Sequence, residues 1–261
     1  DTGKKYQYVI HTSRNNINEL LEHLKSGIAQ VGFNNLYYDY QVLHWILKNK
    51  DLARRLTPLE LTTFIYEESN RAIREQGGSY NLCRNPLIPQ CDLFLINHYG
   101  NAARMTSLKK LEIAMRLSNV EDLPFEPGHW VQDDEVQKIL DYNECDVIAT
   151  MEFYKRCTKQ IQLRRQLELT HNIPLINRPD VGIAEDLFLH SYCKLTRKSK
   201  WDVRKLRTER SEVWMKDVVL PVVKFQTQEL QNWYEKFKKN RINISDLYAT
   251  KHDWEEETIR I

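Results

Sequence analysis

Short apolar runs alternate with amphipathic stretches along the first 157 residues, and this alternation limits the possible folds more than any single motif. Residues 6–11 (YQYVIH), 28–33 (IAQVGF) and 91–96 (CDLFLI) read as short strands. Residues 16–25, 40–47, 57–74, 106–117 and 134–157 read as helices. Ile17, Leu20, Leu21 and Leu24 make one apolar face at helical spacing, and Leu108, Leu111 and Met115 another. Thr57-Pro58 has the form of a cap followed by proline at the first helical position, with Gly77 and Gly78 closing that helix. Strands alternating with helices predict an α/β layer with a largely parallel or mixed sheet. Beyond that, residues 159–170, 181–195 and 227–239 read as helices with few strands among them. A boundary is therefore expected near residue 158, dividing an α/β domain (1–158) from a helical, basic segment (159–261).

At 261 residues and 41% hydrophobic, the chain can bury a sizeable core. A net charge of only +2 does not mark the whole chain as a nucleic-acid binder, so local charge decides. Five widely spaced cysteines without a C-x-x-C pair point to reduced thiols and a cytoplasmic protein. No apolar run approaches the roughly 18 residues of a membrane span, so no membrane partner is expected. The sequence begins with Asp1 and not Met, which reads as a processed product or a fragment.

Two acidic motifs carry the chemistry. In Tyr142-Asn143-Glu144-Cys145-Asp146, Tyr142 and Asp146 lie one helical turn apart and project from the same face. A carboxylate with a phenol one turn earlier can hold a metal ion and orient a water for attack on a phosphodiester. Upstream, Gly32-Phe33-Asn34-Asn35-Leu36-Tyr37-Tyr38-Asp39 follows a strand, at the C-terminal end where α/β sheets place their sites. Hard Mg²⁺ or Mn²⁺ takes oxygen ligands from carboxylates and substrate phosphate, and Asp39 and Asp146 are the candidates.

Together these motifs resemble the second and third exonuclease motifs of proofreading DNA polymerases, nearest to the bacteriophage family B-type enzymes. Their exonuclease domain has an RNase H-like fold of the DEDDy 3′–5′ type. Ser107-Leu108-Lys109-Lys110-Leu111 between them resembles the motif with which those polymerases grip single-stranded primer ends. The resemblance implies metal-binding, catalytic roles for Asp39 and Asp146, with two Mg²⁺ or Mn²⁺ ions in the intact enzyme. Tyr142 would orient the attacking water, and Asn35, Tyr38, Ser107 and Leu108 would contact the DNA 3′ end. The motif spacing leaves Asn34 open as the contacting residue in place of Asn35. Residues 1–30 hold no D-x-E, the family's first motif, and no palm motif is present. The resemblance therefore implies a fragment that is catalytically incomplete alone, with the rest of a phage-type polymerase chain and DNA as partners, in a bacterial cytoplasm. The alternative is a non-catalytic module that binds single-stranded nucleic acid, or an adaptor, on the same scaffold.

Plainer readings stand beside these. Asp39 could cap the helix after its strand. Ser107 could belong to a helix start capped by Thr106. Asp92 reads as structural, and His98 and His129 have no partner at ligand spacing. Trp130, Trp201, Trp214 and Trp233 read as core or interface residues. The run 194–210, with eight Lys and Arg against Asp202 and Glu209, fits either a solvated face or a phosphate-binding surface. Lys155, Arg156, Lys159, Arg164 and Arg165 form a second positive cluster.

Overall fold

The computed structural model describes residues 3–75, 83, 85–206 and 210–243. Gly77, Gly78, Arg207 and Glu209, which figure in the expectations above, lie outside the described residues. Asn16 organises the start: its Oδ1 accepts the Val9 amide at 3.1 Å, and its own amide donates to the Val9 carbonyl at 2.8 Å. Between these bonds β1 (Ile10–His11) pairs antiparallel with β2 (Arg14–Asn15). The strand expected over 6–11 is confined to its last two residues, because its backbone partner is the short return strand beside it.

The order continues α1 (Ile17–Leu24), β3 (Gln30–Gly32), α2 (Asp39–Lys48), α3 (Lys50–Ala53), α4 (Pro58–Glu75), β4 (Gln90–Asp92), α5 (Leu93–Ile96), α6 (Leu108–Met115), α7 (Val136–His171) and α8 (Asp180–Thr196). It ends with α9 (Lys200–Lys205), β5 (Glu212–Trp214), α10 (Met215–Val218), α11 (Gln228–Lys238) and β6 (Arg241–Asn243). The fold is mixed α/β, with helices dominating and the described strands joined only in pairs. No described helix is long and apolar enough to cross a membrane.

The apolar stripe of α1 buries Ile17 and Leu21 against Ile46 of α2, Ala53 of α3 and Leu61 of α4. Each such side chain contributes about 1.5–3 kcal/mol by leaving water. Thr57 and Glu60 start α4 with a reciprocal box, Thr57 N–H to Glu60 Oε2 at 2.8 Å and Glu60 N–H to Thr57 Oγ1 at 3.3 Å. A second cluster joins Cys91, Leu93 and Ile96 to Phe153, Cys157 and Ile161 of α7.

β3 and β4 run parallel, pairing Gln30 with Gln90, Val31 with Cys91 and Gly32 with Asp92. The strand expected over 91–96 stops at Asp92, whose side chain accepts the Phe94 amide and turns the chain into α5. On its other edge β4 meets a side chain. Asn177 accepts the Asp92 amide at 2.7 Å and donates to the Gln90 carbonyl at 2.9 Å, filling the place of a neighbouring strand.

Two compact units divide the chain, residues 1–188 and 189–261. The boundary expected near residue 158 falls inside α7, which is unbroken over 36 residues. Ala149, Phe153, Cys157, Ile161 and Arg164 are buried at steps of four, four, four and three, so a single stripe continues through the expected break. Arg164 is fully buried and donates to the carbonyls of Ile96, Gln160 and Arg178, which removes it from the positive cluster expected there. In the second unit, β5 and β6 form an antiparallel pair that helical spacing did not announce. Lys216 and Arg241 sit over the Trp214 ring, at 5.3 and 5.8 Å from its centroid.

Candidate active site

The turn after β3 is built by side chains from β4. Asp92, with no exposed surface, accepts the Asn34 amide on Oδ1 at 2.9 Å and the Leu36 amide on Oδ2 at 3.0 Å. Burial pushes its pKa up while these backbone donors pull it down. Asn34 takes the left-handed backbone (φ 61°) that the sharp turn needs and that Asn tolerates. A Cβ on Gly32 would stand 2.6 Å from the Asn35 side chain, so glycine is what lets Asn35 fold back over the strand. Asn35 is 6% exposed and donates Nδ2 to Gln90 Oε1 at 2.7 Å. Its Oδ1 is buried without a hydrogen-bond partner.

This turn forms one wall of a cleft of about 1010 Å³. Of the expected site residues, Asn35, Tyr38, Asp39, Ser107, Leu108 and Asp146 all line it, and Asn34 does too. The motifs are 68 and 39 residues apart from Asp39 to Ser107 and from Ser107 to Asp146, yet they converge on one space. Tyr142 is not among the lining residues; it reaches the cleft through its side-chain hydrogen bond to Asp146.

Each residue is held differently. The Tyr38 hydroxyl lies 2.6 Å from Ser69 Oγ of α4, which pins the ring. Asp39 is the first residue of α2, and Tyr38, not Asp39, occupies the cap position. Ser107 is itself the cap of α6, accepting the Lys110 amide at 3.3 Å, whereas Thr106 lines the cleft. Ser107 therefore serves the helix start and faces the cleft at once. Leu108 sits half-buried beside it.

Two carboxylates dominate the electrostatics. Asp39 opens to solvent at the cleft mouth and is crowded by the walls elsewhere. That crowding, with the charges of Asp92 and Asp146 nearby, pushes its pKa up to about 6. Burial also raises Asp146, against the Tyr142 hydrogen bond and the Lys109 charge, which lower it. Burial raises the Tyr142 phenol, and the Asp146 carboxylate adds to this, so the phenol stays protonated and donates.

Asp39 and Asp146 are thus mutually repelling oxygen donors in one cleft, the arrangement a hard divalent cation neutralises while taking its other ligands from water and phosphate. In donor chemistry the residues fit Mg²⁺ or Mn²⁺ held by this pair. No larger group of three or more His, Cys, Asp or Glu converges on a metal position among the described residues.

Counting along α7 from Asp146 would have found further cleft residues. Asn143, Val147, Thr150, Met151 and Tyr154 recur at helical spacing and line the same face. Glu112 had no such signal. It is buried on α6 close enough to Asp146 for the two carboxylates to repel, with burial the larger cause of its raised pKa.

The chain matches no protein-family model, no curated protein and no solved structure.

Proposed function

We propose that this chain carries the 3′–5′ proofreading exonuclease region of a phage-type DNA polymerase, on an RNase H-like scaffold in a bacterial cytoplasm. The observation that carries the reading is the meeting of Asp39, Ser107 and Asp146 in one cleft. The three motifs lie far apart in the sequence, and their meeting supports the reading.

In this reading Asp39 and Asp146 hold the divalent cations, which supply charge neutralisation and an acidified water when bound. Tyr142, protonated and fixed by Asp146, presents its phenol oxygen toward the attacking water. Asn35 lines the cleft, and its Oδ1, buried and unpaired against the strand, would have to turn outward to accept from a 3′-hydroxyl. Tyr38 and Leu108 provide apolar surface for the terminal sugar and base, and Ser107 a hydroxyl for the phosphate.

The test is Mg²⁺-dependent release of nucleotides from the 3′ end of a 5′-labelled single strand by the intact-length protein. Asp146→Ala should abolish release; unchanged release would sink the assignment. Retained single-strand binding with no Mg²⁺-dependent release in the parent protein would favour the non-catalytic binding module.

A further inference from the structure

The second unit holds a surface that the cleft does not explain. Lys194, Arg197, Lys198, Lys200, Lys205 and Arg210 are all exposed. None of them has an acidic partner among the described residues. Asp202, the one acid between positions 194 and 206, is engaged locally: Ser199 Oγ lies 2.6 Å from its carboxylate and accepts its amide at 3.1 Å. Among these cations stands Trp201, 75% exposed and in contact with no other described ring, with Leu195 and Leu206 also exposed. An exposed indole set among exposed cations joins the two kinds of group that grip a nucleic-acid strand.

We propose that residues 192–206 form a docking surface for single-stranded nucleic acid, with the cations on successive phosphates and Trp201 stacked on a base. The pattern matches such a strand, which alternates charge and aromatic face. An anionic membrane surface fits less well. Lying in a membrane requires one helix with a continuous apolar face. Here Leu195 lies in the last turn of α8, Trp201 lies on the six-residue α9, and the left-handed Arg197 (φ 57°) turns the chain between them.

The inference goes beyond the reading of the cleft, and binding is measured here without cleavage. The probe is fluorescein-labelled oligothymidylate, titrated with the full chain by anisotropy at several salt concentrations without divalent cations. Combining Lys194→Ala, Lys198→Ala and Lys205→Ala should flatten the slope of log affinity against log salt by about 2, at about 0.7 per phosphate contact. Trp201→Ala should weaken binding about tenfold at every salt concentration and leave the slope unchanged. All four side chains are exposed, so circular dichroism should match the parent. Loss of nucleotide release on Asp146→Ala and loss of binding on Trp201→Ala are read in separate assays, which separates failure at the cleft from failure here. Parent-like binding by both variants would overturn the proposal, as would binding to phosphatidylserine vesicles in place of the oligonucleotide.

Discussion

Asp92 holds Leu36 in place from 56 residues further along the chain: its Oδ2 accepts the Leu36 amide at 3.0 Å while Oδ1 takes Asn34. The carboxylate therefore acts as a bracket for the turn that presents Asn35, Tyr38 and Asp39 to the cleft. Asp92→Asn replaces one acceptor oxygen with a donor facing an N–H. Each buried group left unsatisfied costs about 1–3 kcal/mol, so urea unfolding should show a loss of about 2–4 kcal/mol. The loss should be the same with and without Mg²⁺, since the bracket is a backbone device; Mg²⁺-dependence would contradict it.

Asp39 gives a pH dependence of definite sign. Its pKa is raised from 3.8 to about 6 in the fold, so the folded state binds the proton more tightly than the unfolded chain. Asp39 therefore favours folding below pH 4, and this contribution is lost as pH rises to about 6. With EDTA present, Asp39→Asn should raise the melting temperature at pH 8 and have little effect at pH 4. A variant less stable than the parent at pH 8 would reverse the assignment of crowding as the cause. Solvent at the mouth screens the site, so the gain is expected to be small.

Gly32→Ala tests the close approach under Asn35. The new methyl would stand 2.6 Å from Asn35 Cβ and Cγ, and because Cβ is fixed to the backbone the turn itself must shift, drawing Asn35 away from Gln90. Overpacking of this kind costs about 1–3 kcal/mol. Chemical denaturation should register that cost, and oligonucleotide binding at the cleft should weaken with it. Parent-like stability would mean that the turn does not need its close approach to Gly32.

Arg164 and Asp180 form an ion pair at 2.7 Å whose two ends should behave very differently. The Asp180 side chain is 76% exposed, so water screens the pair, and Asp180→Ala should cost under about 1 kcal/mol. Arg164 has no exposure and serves three carbonyls. Its replacement by Ala leaves a void and orphaned acceptors, and should cost about 3–5 kcal/mol in the same denaturation measurement. Equal costs would mean that the charge pair, not the carbonyl network, holds the turn.

The helices were legible because their information is local. Ile17, Leu21 and Leu24 declare a face at helical spacing, and Tyr142 and Asp146 declare a pair one turn apart. The brackets that shape the cleft were not, because their partners are remote. Asp92 reads as one more acid until Asn34 is seen 58 residues away, and Arg164 reads as surface charge until Ile96 is seen 68 away. The long α7 was missed for a third reason: two acceptable helices side by side carry no mark of being one, and only the unbroken buried stripe reveals it.

Asn177 closes the outer edge of β4 with a carboxamide, which leaves the two-stranded sheet a single direction of growth. The Gln30 amide points to the Pro89 carbonyl, so the neighbouring Val31 amide and carbonyl point the opposite way, along the edge of β3 that borders the cleft. An extended chain that adds to this sheet would enter the cleft that Asp39 lines. Self-association through strand pairing, if it occurs, would then block the cleft, and a ligand held in the cleft would act as a guard against aggregation.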